Sequence, residues 1–304
     1  MIRRVLNKLE SIYYYRYFSN VKNGATHTLL KKIYKSTDIL FIEKVFQLDF
    51  FREIIDPVQF EIKSQKEVLV LAPHQDDELI GLGGTLLHLK KIGAKLTLVF
   101  LTDGASLENK YESIKIRSDE AKKVAKELGA DLIEINIPND TLTIEQKHLS
   151  HLISIFNSKR WDEVFSIWPI DNPPKHRICA YFIFKAIEKL IHPEFSLSLY
   201  AVHTELIPNK FVDVTYEKDE KQRLIKFYDS QLKAQAYGHL AMARDAWSSR
   251  FLPVSDEERS IEVFFKVNIE EFNKLMNIYN NVDNIQLFKG NQVCINAFNS
   301  IKNI

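Results

Sequence analysis

Four ionisable side chains follow directly on an apolar run in the first third of the chain. The run from Val68 to Leu71 ends at "PHQDDE", which carries His74, Asp76, Asp77 and Glu78. Unpaired charge in a buried strand is very costly, so these side chains belong on a loop at the end of a strand. Histidine and aspartate bind zinc and similar cations, and a tight turn brings residues three apart to one ion. His74 and Asp77 are therefore predicted to be metal ligands.

A third ligand has to come from another loop. His176 is the best-placed candidate, because it opens the helix after the fourth predicted strand. Two histidines and one carboxylate leave a coordination position for water, as in catalytic zinc sites. Asp76 stands beside a ligand and could accept a proton from that water. The alternative is structural: Asp76 or Asp77 caps a helix that starts near Gly81.

Strand-like and helix-like runs alternate from residue 66 onward, and these elements would position the side chains. The predicted strands are Glu67–Ala72, Lys95–Thr102, Asp131–Ile137, Glu163–Trp168 and Ser196–Val202. Helix-like stretches lie near residues 82–92, 112–128, 143–158 and 177–190. Apolar strands separated by helices indicate an α/β fold with a parallel sheet covered on both faces. In such sheets, ligands bind beyond the carboxyl ends of the strands, where "PHQDDE", "TDG", "PND", "WPIDNPPKH" and "VHTE" all fall.

Composition narrows the classes of function. The chain has 304 residues, of which 45% are hydrophobic and 27% charged, typical of one large globular domain or two small ones. A formal net charge of +1 supplies no bulk basic field for nucleic acid. Cys179 and Cys294 lie far apart, which indicates neither a disulfide framework nor a cysteine zinc site and favours a reducing, cytoplasmic setting.

The N-terminal segment stands apart from this pattern. Residues 1–37 hold eight Lys or Arg and one acidic residue, together with "YYYRYF". A basic aromatic helix can lie peripherally on an anionic membrane surface or on a partner. The simpler interpretation is a helical extension packed on the domain. No run of about 18 apolar residues predicts a membrane span.

The segment "GLGGT" (Gly81 to Thr85) invites a different interpretation, as a dinucleotide or phosphate loop. It lacks the G-x-G-x-x-G spacing and does not come straight off the strand. We expect its glycines to let helix and strand pack closely. A nucleotide-dependent transferase, one alternative function, would require this segment to bind phosphate.

The motifs together resemble the PIG-L/LmbE-like zinc N-deacetylase family, whose signature is a strand followed by His-Pro-Asp-Asp-Glu. Here the strand leads into "APHQDDE" and then "GGT". Arg117 and Glu120 resemble the family's R-x-x-E helix, "FYDSQ" resembles its Y-x-S-Q helix, and "FLTDGA", "IPND" and "LYAVHTELIPNKFVDVT" resemble its strand ends. These similarities run in order over residues 66–232.

The resemblance implies a Rossmann-like three-layer fold with a mostly parallel sheet. It also implies zinc-dependent removal of an acetyl group, usually from a glucosamine-type sugar. Carried over by position, the zinc ligands would be His74, Asp77 and His176, and the general base would be Asp76. Arg117 and Asp140 would lie where family members contact the substrate.

Two departures from the family pattern matter. Gln75 replaces the usual proline, which should alter only loop rigidity. In "DNPPKHR", Pro173 and Lys175 replace a histidine and an aspartate. The missing histidine normally helps to stabilise the oxyanion, and losing such a group costs about 2.7–4 kcal/mol of transition-state stabilisation. Lys175, His203 and His239 are the candidate substitutes, and Lys175 and His203 are predicted to contact the substrate.

The same departures support another function, a catalytically weakened sugar-binding or scaffold protein of this fold. The predicted organisation is an extension over residues 1–60, a deacetylase core over 61–240 and a C-terminal addition over 241–304. The identity of the sugar, its aglycone and the oligomeric state stay open at this stage.

Overall fold

Eight strands form one sheet in a computed structural model that describes residues 56–106 and 109–304. The strand order is β1-β7-β8-β6-β5-β2-β3-β4. Residues 1–55 of the predicted N-terminal extension lie outside the described residues. The contact with a membrane or a partner that was suggested for this segment lies outside them too. The strands are β1 Val58–Gln59, β2 Glu67–Ala72, β3 Lys95–Thr102, β4 Asp131–Ile137, β5 Glu163–Ile167, β6 Ser196–Tyr200, β7 Lys210–Asp213 and β8 Ile261–Val267.

Helices cover both faces of this sheet, so the predicted α/β fold is confirmed. Their bounds are α1 Asp77–Lys91, α2 Lys110–Leu128, α3 Gln146–Asn157, α4 Pro174–Glu188, α5 Lys218–Ile225, α6 Asp229–Leu232, α7 Tyr237–Ser248, α8 Ile269–Met276, α9 Ile278–Asn281, α10 Asn284–Leu287 and α11 Gln292–Ile301. In the part of the chain that the structure describes, every helix is too short or too polar to traverse a bilayer. Both cysteines are buried free thiols, as expected.

The five predicted strands are all present, because each apolar run is long enough to cross a buried sheet. β2, β3 and β4 have the predicted bounds, whereas β5 and β6 end one and two residues early. Val68, Leu69 and Val70 of β2 are fully buried between two helical layers. β2 pairs in parallel with β3 and β5, and β5 pairs in parallel with β6.

Strand order reverses at β2. The chain runs from β2 outward through β3 to β4 on one side, and through β5 to β6 on the other. Two neighbouring parallel strands whose connections leave in opposite directions open a crevice at their carboxyl ends, where ligands of such folds bind. Here those ends carry "PHQDDE" after β2 and "WPIDNPPKH" after β5.

The C-terminal part of the chain completes the sheet and supports this crevice. β8 lies between β6 and β7 and is antiparallel to both. Beyond β8, the Tyr279 hydroxyl contacts the carbonyls of Pro169 and Arg177, and Arg177 Nη1 donates to the carbonyl of Leu287 at 2.5 Å. These bonds tie the segment around α9 and α10 to the loop between β5 and α4.

Glu262 on β8 fixes helix α1 from the opposite end of the sequence. The helix is kinked at Leu82, and the amides of Gly84 and Thr85 just after the kink donate to the Glu262 carboxylate at 2.8 and 2.7 Å. The Glu262 carboxylate therefore accepts the hydrogen bonds that the amides of a phosphate loop would donate to phosphate. A Cβ on Gly84 would lie 2.7 Å from Val214 Cβ, so this glycine allows close packing, as predicted.

Lys221 of α5 neutralises that buried carboxylate. Its Nζ lies 2.6 Å from Glu262 Oε1 and 2.5 Å from Asp245 Oδ2, and the lysine is fully buried. Burial raises the pKa of Asp245 to about 6, against the opposing charge of Lys221. The cluster joins α5, α7 and β8 through charges that are expensive to bury without one another.

We expect Lys221→Met to lower the free energy of unfolding by about 3–5 kcal/mol, because it leaves two buried carboxylates without their cation. Lys218→Met is the matched control in the same helix, since Lys218 pairs with the exposed Glu258 at 3.4 Å. That control should stay within about 1 kcal/mol of the wild type. Urea unfolding followed by circular dichroism measures both. A Lys221→Met variant as stable as Lys218→Met would contradict this assignment.

Candidate metal centre

Three side chains converge at the crevice between β2 and β5. His74 lies on the loop after β2, Asp77 begins α1, and His176 lies in the first turn of α4. His74 Nδ1 is 3.2 Å from Asp77 Oδ2 and 3.2 Å from His176 Nε2, and the third side, from His176 Nε2 to Asp77 Oδ2, is 3.4 Å. The structure therefore brings together the three residues that the sequence proposes as metal ligands.

The size of this triangle fits a tetrahedral ion. Nitrogen and carboxylate oxygen ligands lie about 2.0–2.2 Å from zinc, so two ligands of a tetrahedral site are separated by roughly 3.3–3.5 Å. The observed separations of 3.2, 3.2 and 3.4 Å come close to that value. The three atoms can form one face of a tetrahedron, which leaves the fourth position toward the crevice.

The partners of the two histidine rings direct their lone pairs into the triangle. Asp171 Oδ2 accepts from His176 Nδ1 at 2.9 Å, which assigns the ring proton to Nδ1 and leaves Nε2 with a lone pair. Asn139 Oδ1 lies 2.9 Å from His74 Nε2. The Asn139 amide is oriented by Nδ2, which donates to the carbonyl of Ala105 at 3.0 Å, so His74 Nδ1 also carries a lone pair.

In these tautomers, two ring nitrogens without a proton face the Asp77 carboxylate. The side chains of His74, Asp77 and His176 are only 12%, 3% and 1% exposed, so the site is almost closed to solvent. Asp77 Oδ2 accepts from the His74 amide at 2.9 Å, but the two ring nitrogens have no donor, and buried acceptors without donors are strongly unfavourable. A bound cation satisfies all three at once, and the chemistry of this donor set suits zinc.

Asp76 adopts an unusual backbone conformation beside the triangle. Its φ is 120°, a left-handed region that costs a non-glycine residue about 1–3 kcal/mol. Its amide donates to Glu78 Oε2 at 3.1 Å, and Glu78 Oε1 accepts from the Tyr228 hydroxyl at 2.6 Å. The Asp76 side chain makes no capping hydrogen bond to α1, so the helix-cap alternative for this residue is wrong.

The two adjacent aspartates have opposite electrostatic environments. Burial raises the pKa of Asp76 well above the usual aspartate range, and the charge of Asp77 raises it further. Burial alone would also raise the pKa of Asp77, but when the two rings are protonated, the charge of His176 and the hydrogen bond with His74 hold it well below its ordinary value. Carboxylates whose pKa values are driven apart are typical of a site that divides metal binding and proton transfer between them.

Arg117 of α2 lies close to Asp76. Its positive charge opposes the rise in the pKa of Asp76. The Arg117 side chain crosses directly over Gly104, where a Cβ would lie 2.3 Å from its Cδ, and Gly104 has a φ of +67°. A glycine is required there both by the backbone and by the space that Arg117 occupies.

The two helical motifs of the sequence meet at Arg117. Its Nη2 donates to the side chain of Gln231. Ser230 donates to Glu120 through both its amide, at 2.9 Å, and its hydroxyl, at 2.6 Å. The R-x-x-E and Y-x-S-Q segments therefore dock on each other through hydrogen bonds and hold Arg117 and Asp76 in place.

Two other predicted site residues make polar contacts with the protein itself. Asp140 Oδ2 pairs with Lys110 Nζ at 2.7 Å on the outer side of the loop after β4, and this bond lowers the pKa of Asp140. Lys175 is half-buried and donates from Nζ to the carbonyl of Asn139 at 2.5 Å. The Lys175 ammonium group therefore points toward the loop after β4 and not into solvent. Substrate contacts for both residues stay predictions.

Sequence reasoning missed Asn139 and underused Asp171, the two residues that orient the histidine rings. Both stand in strand-end clusters that the sequence had flagged, "PND" and "WPIDNPPKH". The sequence did not indicate which residues they contact, because His74 and Asn139 are 65 residues apart in the chain.

A cavity of about 590 Å³ opens beside the triangle. Its lining combines the loop after β6, helix α7 and a turn of the C-terminal segment, including Val202, His203, Gln235, Tyr237, Arg244 and Lys289. His203 lies with its ring centre 5.6 Å from that of His176. The lining contains both polar and apolar side chains, as is usual for small-molecule sites.

Residues 69–187 match the sequence model of the family described as PIG-L: GlcNAc-PI de-N-acetylase. This segment of the chain is similar to the PIG-L family. The matched region holds His74, Asp76, Asp77 and His176 and ends before His203. The C-terminal strand β8 and the helices after it also lie outside the match.

Two proteins that are similar to this chain are diacetylchitobiose deacetylases. Diacetylchitobiose deacetylase of Thermococcus kodakarensis is 26% identical over 245 residues, covering 67% of this chain and 91% of that protein. The solved structure of N,N'-diacetylchitobiose deacetylase from Pyrococcus horikoshii has a TM-score of 0.58 at 22% identity, covering 82% of this chain and 96% of its own.

A third structure has the same fold with a different reaction. GalB, the 4-carboxy-2-hydroxymuconate hydratase of Pseudomonas putida, has a TM-score of 0.55 at 20% identity, covering 68% of this chain and 97% of its own. These likenesses confirm the three-layer α/β fold of this chain. The reaction has to be argued from the site, because one fold hosts several chemistries.

We expect His74→Ala and Asp77→Ala to lose most of the bound zinc while keeping a native far-ultraviolet spectrum, since each removes one atom of the triangle. His151→Ala, on the exposed face of α3, is the control. Plasma mass spectrometry of the purified proteins gives the zinc content. Full zinc retention in both ligand variants would exclude the triangle as the metal site.

We expect Asn139→Leu to weaken zinc binding about 10–100-fold, because His74 loses the acceptor that fixes its tautomer and orientation. Asn139→Asp keeps an oxygen at that position and should retain more of the affinity than the leucine variant. Competition with a fluorescent chelator measures both constants, with Asn157→Leu as a surface control. Equal affinities for the leucine variant and the wild type would rule out this orienting role.

Proposed function

We propose that the protein is a zinc-dependent hydrolase that removes the acetyl group from an N-acetylated sugar of the N-acetylglucosamine type. One observation carries this proposal: a metal-sized triangle of lone pairs stands next to a buried carboxylate that is not a ligand. The names of the family and of the deacetylase relatives support the choice of an N-acetyl sugar as substrate.

Bound zinc would polarise the amide carbonyl and lower the pKa of a coordinated water. Asp76 is the residue of this chain that accepts the proton of the attacking water as its oxygen bonds to the carbonyl carbon. The same carboxyl group then returns the proton to the amine nitrogen as the carbon–nitrogen bond breaks. The products are acetate and the free amino sugar, so atoms and charge balance.

The strained backbone of Asp76 serves this role. Glu78 holds the Asp76 amide, and this turns the chain so that consecutive aspartates take different positions. Asp77 joins the triangle, whereas Asp76 keeps its oxygens free of capping contacts. Backbone strain that surrounding contacts maintain is characteristic of catalytic positions.

The sugar would occupy the cavity beside the triangle, with its acetamido group toward the metal. Arg117 lies on the Asp76 side, and His203 lies on the cavity wall. We propose both as contacts for the sugar, and Asp140 and Lys175 as contacts made after their present partners move. The C-terminal segment contributes to the lining of this cavity, and the cavity has room for an aglycone.

The alternative of a weakened binding protein rests on the replaced residues at positions 173 and 175. The triangle, its two orienting partners and Asp76 are nevertheless all present, and a scaffold would not need a buried base beside a metal site. The observations therefore favour an active hydrolase.

Acetate release from a panel of N-acetyl sugars tests the function. The panel should include free N-acetylglucosamine, its β1,4-linked dimer and glycosides with neutral and charged aglycones. Zinc-loaded protein should release acetate, chelator-treated protein should not, and restored zinc should recover the rate. Absence of acetate from every sugar, with one zinc bound per chain, would contradict the proposal.

We expect Asp76→Asn to lower kcat about 10²–10⁴-fold, because the amide keeps the shape of the side chain and cannot take up the proton. Zinc content should stay at the wild-type value, which separates this variant from the ligand variants. Steady-state acetate release and metal analysis measure the two quantities. Turnover close to the wild-type rate would show that Asp76 is not the base.

A further inference from the structure

The family position that normally carries an oxyanion-stabilising histidine is Pro173 in this chain. The structure places Pro173 at the exposed start of α4, where it offers no donor. A hydrolase that acts on an amide still needs a donor for the carbonyl oxygen as negative charge develops there. Some other part of the crevice must supply it.

Two of the three candidates are less well placed in this structure than the third. The ammonium group of Lys175 already donates to the carbonyl of Asn139 at 2.5 Å. His239 lies on the exposed surface of α7. His203 is left, on the loop that follows β6 at the same edge of the sheet as the metal triangle.

One buried carboxylate fixes the position of the His203 backbone relative to His176. Asp171 accepts from the amides of Val202 and His203 at 3.2 and 3.1 Å and from the Thr204 hydroxyl at 2.8 Å. The same carboxylate orients His176 at 2.9 Å. The backbone of His203 and the ring of a metal ligand therefore share one fixed anchor, and Asp171 itself is fully buried.

The His203 ring faces the cavity between two other rings. Its centre lies 5.6 Å from the ring of His176 and 5.6 Å from that of Tyr237, which it meets at 60°. Within residues 56–106 and 109–304, neither ring nitrogen of His203 has a hydrogen-bond partner. A ring nitrogen that lines a cavity next to a metal triangle is available to a bound molecule.

We propose that His203 is a further catalytic residue, whose ring N–H donates to the carbonyl oxygen of the scissile amide in place of the donor lost at Pro173. The role needs only the neutral imidazole, which carries one N–H. The proposal rests on the proposed function, and it adds a residue beyond the region that matches the family.

The test compares His203→Phe, which keeps the ring contacts and removes the donor, with His203→Gln, which keeps an N–H. We expect His203→Phe to lower kcat about 10²–10³-fold, the effect of removing one oxyanion donor. KM and zinc content should stay close to the wild-type values. His203→Gln should recover part of kcat.

Binding gives a second measurement that needs no turnover. Glucosamine with a methylphosphonamide group in place of the acetamide imitates the tetrahedral state, and calorimetry gives its affinity for each zinc-loaded protein. His203→Phe should weaken this affinity by a factor similar to the fall in kcat, while the affinity for the amino sugar product stays unchanged. His239→Phe is the matched control and should keep wild-type values.

Two results would overturn the proposal. One is wild-type kcat and wild-type affinity for the tetrahedral analogue in His203→Phe. The other is a raised KM with unchanged kcat, which would make His203 a sugar contact only. If the wild type released no acetate from any sugar, the proposed function would fail, and the affinities of wild type and His203→Phe for the analogue would still decide the role of His203.

Discussion

Three atoms with unshared lone pairs lie within 3.4 Å of one another in a site with little water, and much of the surrounding structure exists to keep them there. The arrangement is unfavourable without a cation, so it has to be enforced from outside. The fold enforces it by placing the ends of β2 and β5 side by side. Asp171 and Asn139 then fix which nitrogen of each ring faces inward.

A second set of contacts keeps Asp76 separate from the triangle. Glu78 and Tyr228 maintain the left-handed backbone at Asp76, while the docking of Ser230 on Glu120 holds α6 against α2. These bonds join segments up to 150 residues apart. The Tyr228 hydroxyl of the Y-x-S-Q segment therefore helps to hold the conformation of Asp76 through Glu78.

The sequence predicted the strands and the polar loops at their ends, because these features depend on short stretches of the chain. Apolar runs of five to eight residues set the strands, and the burial cost of charge put "PHQDDE" at a strand end. Pairings across long distances in the chain were out of reach. β8 enters the sheet between β6 and β7, and Glu262 binds the amide of Gly84 across 178 residues. Neither pairing leaves a mark in the local pattern.

The segment "DNPPKH" shows why a motif and a site are different things. Transition-state stabilisation requires a donor at a point in space, and it is indifferent to which stretch of chain provides that donor. The loop after β6 reaches the same crevice as the loop after β5 because the two strands are neighbours in the sheet. Asp171 binds both loops, so one carboxylate fixes the backbone of His203 relative to the ring of His176. Loss of a motif residue at Pro173 is therefore compatible with a complete site.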